Sequence, residues 1–216
     1  MRKDTLIVVN PASGGGRTGR GWAAVAERLR AAGLDFDAAM TSRRGEAIEL
    51  SRRAAAEGCS LVVAAGGDGT INEVANGILE HSDGTPGTRL GVLPTGTGGD
   101  FRRTLGLPTD VADAAHVLAA GRTRRIDAGR VTCAGPGGTT VRRHFVNIAS
   151  AGIGADVAER VERGGVLVNG ELTFLLASAR TGIAGHPDGD LDPGLGDVDP
   201  GGPLGEQRLV LDLMHR

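Results

Sequence analysis

The chain alternates short, continuously apolar runs with longer stretches in which apolar residues recur every three or four positions. The apolar runs predict four β-strands, at residues 5–10, 34–41, 60–65 and 89–94. The stretches between them predict helices, at residues 21–33, 45–58 and 71–79. Because strands that alternate with helices pair in parallel through right-handed crossovers, the pattern predicts a Rossmann-like, three-layer α/β sandwich with a mostly parallel sheet.

The pattern changes beyond residue 120. The strand-like runs "RIDAGRVTC" and "RRHFVNIAS" are joined by the glycine-rich "AGPGGTT", which favours antiparallel pairing in a β-rich second domain. We therefore expect a first domain over 1–130, a partial second domain over 131–184, and a disordered Gly/Pro/Asp-rich tail over 185–216. Within the tail, 207–215 has the pattern of one strand of a sheet whose other strands lie outside this chain.

Composition limits the classes of function. The 24 Lys and Arg residues nearly balance the 26 Asp and Glu residues, so the charge predicts no nucleic-acid partner. Lys3 is the only lysine, which excludes the phosphate-binding lysine of a P-loop or of a protein kinase. Two scattered cysteines predict no disulfide framework, and the absence of a long apolar run predicts no transmembrane segment. These features indicate a cytoplasmic protein, and they leave its oligomeric state open.

A loop rich in glycine or hydroxyl residues follows each of the four predicted strands. The four loops are "NPASGGGRTGR", "TSRRG", "GGDGT" and "PTGTGGDF". Any one of them alone is compatible with a simple turn. In open parallel sheets, however, ligands bind beyond the carboxyl ends of the strands, so we expect the four loops to converge on one crevice.

The third of these loops, "GGDGT", combines features of a phosphate-binding turn. Gly66 and Gly67 let the backbone approach a ligand closely, and Thr70 stands at a helix entrance where its hydroxyl can cap the helix or bind phosphate. The carboxylate of Asp68 repels a phosphate unless a cation intervenes or a ligand hydroxyl donates to it. The loop therefore predicts a magnesium-linked or hydroxyl-binding role for Asp68.

The loop after the first strand comes close to two other phosphate motifs and completes neither. Gly14, Gly16 and Gly19 satisfy G-x-G-x-x-G, but "NPAS" separates them from the strand, so the tight strand-to-helix turn is missing. The stretch "GGGRTGRG" nearly spells a P-loop, but Arg20 and Gly21 stand where Lys and Ser or Thr are required. We expect neither a dinucleotide fingerprint nor a P-loop.

Five segments taken together resemble the catalytic domain of bacterial diacylglycerol kinase-like lipid kinases, relatives of sphingosine and ceramide kinases and of NAD kinases. They are "VVNPASGGGR", "AAGGDGTINEVANG", "GVLPTGTGGDF", "RIDAGRV" and "FVNIASAGIGADV", within residues 5–181. The resemblance implies an ATP-dependent transferase of phospholipid metabolism, with Mg²⁺ as cofactor, that phosphorylates a lipid hydroxyl at the inner membrane face. It also implies that residues 1–130 are the nucleotide-binding catalytic domain.

The same resemblance assigns roles to individual residues. The positions that match the family's ATP-binding residues are Asn10, Ser13, Thr41, Gly67, Asp68, Gly69, Thr70, Ile71, Asn72, Glu73 and Thr97. The positions that match acids around magnesium and its waters are Asp68, Asp100 and Asp127. Gly99 departs from the family, which usually has an asparagine there, and this removes one side-chain contact.

The end of the chain also departs from the family, whose second domain carries a glutamate general base in a "DGE" segment. No such segment follows residue 185, so we expect little activity from this chain alone, with Asp68 as its one candidate base. Two alternatives stay open: a non-catalytic nucleotide-binding module, and an NAD kinase-like enzyme that shares "GGDGT". The segments "NPASGGG" and "GTGGDF" favour the lipid kinases, but they do not specify which lipid is used.

Overall fold

The computed structural model describes residues 4–81, 87–96, 99–134, 138–146 and 207–212, with backbone alone for 133, 134 and 207–212. The strands are β1 (Thr5–Val9), β2 (Asp37–Met40), β3 (Leu61–Gly66), β4 (Arg89–Pro94), β5 (Thr123–Ala134), β6 (Thr140–Phe145) and β7 (Gln207–Asp212). The helices are α1 (Arg17–Ala31), α2 (Glu46–Ala56), α3 (Asp68–His81), α4 (Asp100–Leu105) and α5 (Val111–Ala120). None of these helices is long and apolar enough to cross a bilayer.

The described strands form one sheet in the order β2-β1-β3-β4-β7-β5-β6. β1 pairs in parallel with β2 and with β3, and β3 pairs in parallel with β4. The predicted mostly parallel α/β fold is therefore confirmed. Because β1 lies between β2 and β3, the winding of the chain reverses at β1, and this switch point opens a crevice at the carboxyl ends of β1 and β3.

Successive residues of the central strands point to opposite faces of the sheet, and each face has its own core. Val62 and Ala64 of β3 pack in a cluster with Ile71 and Ile78 of α3. The alternate residue Val63 belongs to a second cluster, which includes Leu29 of α1 and Leu118 of α5. This alternation explains why β3 is apolar throughout, and it produces the predicted three layers.

The predicted elements of the first 94 residues are all present, most of them with shifted ends. β4 has its predicted bounds. α1 begins at Arg17 and α3 at Asp68, each ahead of the predicted start, because glycines in their first turns interrupt the apolar periodicity. The pattern did not predict α4 or α5. In α5 a usable signal was present, since the Asp110 carboxylate caps the helix by accepting from the backbone N–H of Ala112 at 2.7 Å.

The segment 207–212 corrects one expectation. It forms β7, which pairs in parallel with β4 at Leu211 and antiparallel with β5 over six positions from Gln207 to Asp212. Its partners are therefore strands of this chain, and for these residues the expectation of a disordered tail was wrong. β4 and β5 each offer a row of backbone donors and acceptors, and β7 pairs with both. The rest of the predicted tail, 185–206 and 213–216, lies outside the described residues.

The chain divides into two compact units. The first contains 1–131, 143–147 and 203–216, and the second contains 132–142 and 148–202. The structure describes only 132–134 and 138–142 of the second unit. The domain boundary at residue 130, the partial second domain and the antiparallel pairing of β5 with β6 stay predictions.

Candidate functional site

The loops after β1, β3 and β4 are joined by backbone hydrogen bonds that continue the sheet beyond the strands. Asn10 N donates to Ala65 O at 3.0 Å, and Gly96 N donates to Gly66 O at 3.2 Å. On the other side of β1, Thr41 N donates to Val9 O at 2.8 Å. All four predicted loops therefore begin at one edge of the sheet.

Close contact between the third and fourth loops requires glycine. A Cβ atom added to Gly96 would lie 2.5 Å from Cα of Gly67, a distance that no real Cβ contact tolerates. A Cβ atom added to Gly66 would lie 2.4 Å from Oγ1 of Thr70. These glycines are therefore needed for the packing of the loops themselves, whatever ligand the loops bind.

The first loop contains a left-handed glycine turn that leads into α1. Gly14, Gly15 and Gly16 have φ values of 64°, 66° and 82°, which side chains other than glycine rarely adopt. Nε of Arg17 donates to Gly14 O at 2.9 Å, and Nη2 of Arg20 donates to Gly15 O at 3.2 Å. The two arginines therefore hold the carbonyl groups of the turn and do not replace a P-loop lysine at its amides.

Asn10 connects the first loop to the third. Its Nδ2 donates to Oγ1 of Thr70 at 3.1 Å, and its Oδ1 accepts from the backbone N–H of Ala12 at 3.1 Å. Thr70 is 6% exposed, so its hydroxyl serves this contact more readily than a ligand. Ser13 lies beside the third loop as well, since a Cβ atom added to Gly67 would be 3.9 Å from Oγ of Ser13.

A cleft of about 450 Å³ lies between the first loop, the second loop and the first turns of α3. Four residues predicted to bind the nucleotide line it: Asn10, Thr41, Thr70 and Glu73. Six residues that were not predicted line it as well: Pro11, Ala12, Ser42, Arg43, Arg44 and Ala47. Five of the six lie in the predicted loops "NPASGGGRTGR" and "TSRRG", so a signal for them was present in the sequence.

The second loop is held by carboxylates of α2. Oε2 of Glu46 accepts from Ser42 N at 2.6 Å and from Ser42 Oγ at 2.8 Å, and these bonds lower the pKa of Glu46. Glu49 accepts a hydrogen bond from Nη2 of Arg43 at 2.5 Å, which lowers the pKa of Glu49 and raises the pKa of Arg43. These contacts hold the second loop, whose residues Arg43 and Arg44 line the cleft.

Asp68 and Glu73, at the start of α3, bind backbone N–H groups of neighbouring loops. Oδ2 of Asp68 accepts from Gly99 N at 3.0 Å and from Asp100 N at 3.3 Å, and its Oδ1 accepts from Phe101 N at 3.3 Å. Oε1 of Glu73 accepts from Gly45 N at 3.1 Å. Both carboxylates therefore have structural partners at the site.

Other predicted residues lie away from the cleft wall. The side chain of Ile71 is 2% exposed and packs in the core, and its backbone N–H donates to Gly67 O at 3.1 Å. Gly69 is exposed, and the carbonyl of Asn72 accepts from Nδ2 of Asn76 at 2.8 Å. Thr97 lies outside the described residues.

The three predicted magnesium-linked acids have different surroundings. Asp68 has the amide contacts given above, and the exposed Asp100 is paired with Arg103 on α4. Asp127 is exposed on β5, opposite Arg208 of β7 in the strand register. Among the residues that the structure describes, no group of three His, Cys, Asp or Glu side chains is arranged to hold a metal ion.

The parallel sheet, the switch point at β1 and the cleft beside α3 define a Rossmann-like α/β domain of the ligand-binding type. The profile of the diacylglycerol kinase catalytic domain matches residues 4–131. A diacylglycerol kinase of Staphylococcus carnosus is 38% identical over 152 residues, which are 70% of this chain and 46% of that protein. A diacylglycerol kinase of Staphylococcus haemolyticus is 37% identical over 152 residues, 70% of this chain and 42% of that protein.

Solved structures agree with these relatives. A crystal structure of a diacylglycerol kinase from Bacillus anthracis is similar with a TM-score of 0.52 at 29% identity, over 65% of this chain and 48% of that one. The chain therefore belongs to the diacylglycerol kinase catalytic-domain family. The matched region spans less than half the length of the relatives named here.

Proposed function

We propose that this chain binds ATP in the cleft beside α3 and serves ATP-dependent phosphorylation of a lipid hydroxyl. The observation that carries the proposal is the close backbone packing of Gly96 against Gly66 and Gly67 at the start of α3. Because of this packing, the backbone N–H groups and the positive end of the 14-residue helix α3 lie at the switch point of the sheet. Family membership supplies the reaction class, since the relatives are named diacylglycerol kinases.

The nucleotide is proposed to lie with its phosphates at the first turn of α3. Gly67 to Glu73 are proposed to contact them, and the first N–H groups of this segment favour negative charge because they lie at a helix N-terminus. Asn10, Ser13 and Thr41 border the same cleft or loop, and Thr97 is proposed as a further contact by motif match alone. Arg43 and Arg44 add two cations to the cleft wall, in a chain whose only lysine is Lys3. Positioning and electrostatic stabilisation by these groups are the contributions expected of a phosphoryl-transfer site.

Mg²⁺ accompanies ATP in this reaction class, but the described acids do not fit a metal site of the chain's own. Oδ2 of Asp68 already accepts two hydrogen bonds and its Oδ1 accepts one, which leaves about one lone pair for a metal. Asp100 is engaged by Arg103, and no third acid joins Asp68 among the described residues.

Phosphoryl transfer by the chain alone is proposed to be slow. A general base contributes about a hundredfold to ten-thousandfold in rate, and the family's "DGE" glutamate has no counterpart in this sequence. Asp68 is the candidate base by position, but its amide contacts oppose that role. The lipid substrate, and peripheral contact with a membrane surface where such a lipid resides, follow from the family alone and belong to this proposal.

Two measurements on the 216-residue chain test the proposal. Calorimetric titration with MgATP measures binding, and radiolabelled transfer from ATP is compared between diacylglycerol in mixed micelles and NAD. We expect MgATP binding with little transfer, and more transfer to diacylglycerol than to NAD. No nucleotide binding would overturn the proposal. Preferential transfer to NAD would instead support the NAD kinase-like alternative, and binding with no transfer to either acceptor would support the nucleotide-binding module.

A further inference from the structure

We infer that Asp68 and Glu73 are positioning residues. Asp68 caps the N-terminus of α4 and Glu73 caps that of α2, each from outside the capped helix, and the two caps fix the loops that flank the proposed ATP site. The part of the inference that concerns ATP rests on the proposed function. The part that concerns the loops rests on contacts within the protein. Because of these contacts, we assign the carboxylates of Asp68 and Glu73 a structural role instead of metal binding or proton transfer.

The helix after β4 depends on Asp68 for its cap. The N-cap residue of α4 is Gly99, with φ 146°, and it has no side chain with which to cap the helix itself. The Asp68 carboxylate instead accepts from the N–H groups of Gly99, Asp100 and Phe101, which are the first three donors of that helix end. A negative charge at this end also complements the helix dipole.

The helix after β2 has the same arrangement. The N-cap residue of α2 is Gly45, with φ 80° and no side-chain cap. Oε1 of Glu73 accepts from the N–H of Gly45, the bond that a glutamate of the same helix makes in a capping box. Gly45 directly follows Arg44 on the cleft wall, so this bond fixes the end of the second loop at the cleft.

α3 is suited to hold both neighbours because of the spacing of the two acids. Asp68 and Glu73 are five residues apart, which places them about 140° apart around a helix. β2 and β4 lie on opposite sides of the β1–β3 pair in the sheet, so the loops that follow them reach α3 from opposite sides. One short helix therefore supplies the caps of both flanking helices and ties three loops of the site into one unit.

Amide and alanine variants separate capping from charge chemistry. A side-chain amide still offers an oxygen to backbone N–H groups, and Asn is as good an N-cap as Asp, whereas it supplies neither a base nor the negative charge of a carboxylate. We therefore compare Asp68→Asn with Asp68→Ala, and Glu73→Gln with Glu73→Ala. Asp110→Ala is the matched control, because Asp110 caps α5 within its own helix and does not line the cleft.

Two readouts are measured on the full chain: hydrogen exchange of residues 45–50 and 99–105 without ligand, and calorimetric affinity for MgATP. In the alanine variants we expect exchange in the corresponding segment to rise about fivefold to tenfold, as for loss of an N-cap. We expect MgATP affinity to fall by about tenfold through loss of positioning. The amide variants are expected to stay within about threefold of the parent in both readouts. Asp110→Ala is expected to raise exchange in α5 and to leave MgATP affinity unchanged.

The alternative outcomes are distinct. If Asp68→Asn loses as much MgATP affinity as Asp68→Ala while its exchange stays normal, the charge of Asp68 acts on the ligand and the inference is overturned. Unchanged exchange in both alanine variants would also overturn it. If the parent chain binds no MgATP, the proposed function fails, and the exchange comparison alone decides whether the two carboxylates position the loops.

Discussion

The side-chain amide of Asn76 forms hydrogen bonds with both backbone groups of His144, which lies 68 residues further along the chain. Oδ1 of Asn76 accepts from His144 N at 2.8 Å, and Nδ2 donates to His144 O at 2.8 Å. Asn76 is 1% exposed, so these contacts are shielded from water. One side chain of α3 thus pairs with β6 as a neighbouring strand would, and it holds 143–146 against the helix that begins at the site.

Replacing Asn76 by leucine is expected to destabilise the fold strongly. The variant leaves the N–H and C=O of His144 buried without these partners, at a cost of about 2 to 4 kcal/mol. Urea unfolding followed by circular dichroism measures the change. Asn76→Asp keeps the acceptor and loses the donor, so it is expected to fall between the parent and Asn76→Leu. Equal stability of Asn76→Leu and the parent would show that the pairing with His144 contributes nothing.

Gly96→Ala tests the close contact between the third and fourth loops. The added Cβ would lie 2.5 Å from Cα and 2.7 Å from N of Gly67, and backbone atoms yield only if the whole loop shifts. We expect a loss of stability of about 1 to 3 kcal/mol and weaker binding of MgATP. The measurements are urea unfolding and calorimetric titration.

Gly21→Ala is the control for Gly96→Ala. Gly21 is exposed within α1, and nothing lies within 4 Å of an added Cβ. This variant is expected to stabilise the protein by about 0.5 to 1 kcal/mol, because alanine is the better helix former. If Gly96→Ala were as harmless as Gly21→Ala, the two loops would not be in contact as described.

The first half of the fold was predictable because each central strand is buried on both faces. A run such as Leu61 to Gly66 then contains no polar residue, and the glycine or hydroxyl residues that follow mark its end. The loops at the site were predictable for the same reason, since parallel strands bring their carboxyl ends to one edge. Local sequence signals were therefore sufficient to predict both the central strands and the loops at the site.

Contacts over long sequence separations were not predictable. Asp68 and Gly99 are 31 residues apart, and no local pattern marks a carboxylate that caps a helix from outside it. The short apolar run within Gln207 to Asp212 predicts a strand, but it does not identify β4 and β5 as its neighbours. Motif resemblance alone placed Ile71 at the nucleotide, whereas helix periodicity places its side chain in the core.

Ile71→Val separates a core role from a ligand contact. The side chain of Ile71 is 2% exposed, and removing one buried methylene group is expected to cost about 0.5 to 1.5 kcal/mol. The affinity of the folded protein for MgATP is expected to stay unchanged, because the side chain of this residue packs in the core. Urea unfolding and calorimetric titration test the two parts. Weaker MgATP binding at unchanged stability would place the side chain at the ligand.

The contacts of Glu46 predict how the second loop responds to acid. Hydrogen bonds from Ser42 N, and next from Ser42 Oγ, lower the pKa of Glu46. A carboxylate with a lowered pKa stabilises the folded state above its unfolded pKa, and that contribution is lost as the pH falls through the folded pKa. We therefore expect the amide signals of Ser42 and Arg43 in NMR spectra to change with a midpoint below about pH 4.3.

Glu46→Gln is the control for this titration, since it keeps an acceptor oxygen and removes the ionisable group. In that variant the acid-dependent shift of the Ser42 and Arg43 signals is expected to disappear. A midpoint at or above the ordinary glutamic acid value in the parent protein would show that Glu46 does not hold the loop in solution.

The arginines of the second loop are expected to contribute to nucleotide affinity. Both line the cleft, and the salt bridge to Glu49 balances part of the charge of Arg43. Arg44→Gln is expected to weaken MgATP binding about threefold to tenfold. Because salt screens exposed charges, the affinity of Arg44→Gln for MgATP should also depend less on salt concentration, as calorimetric titration at two ionic strengths would measure.

Arg28→Gln, a substitution at an exposed position in the last turn of α1, is the control and should alter neither the affinity nor its salt dependence. Equal effects of Arg28→Gln and Arg44→Gln would mean that only net charge matters, and that the anionic end of the nucleotide does not face the second loop.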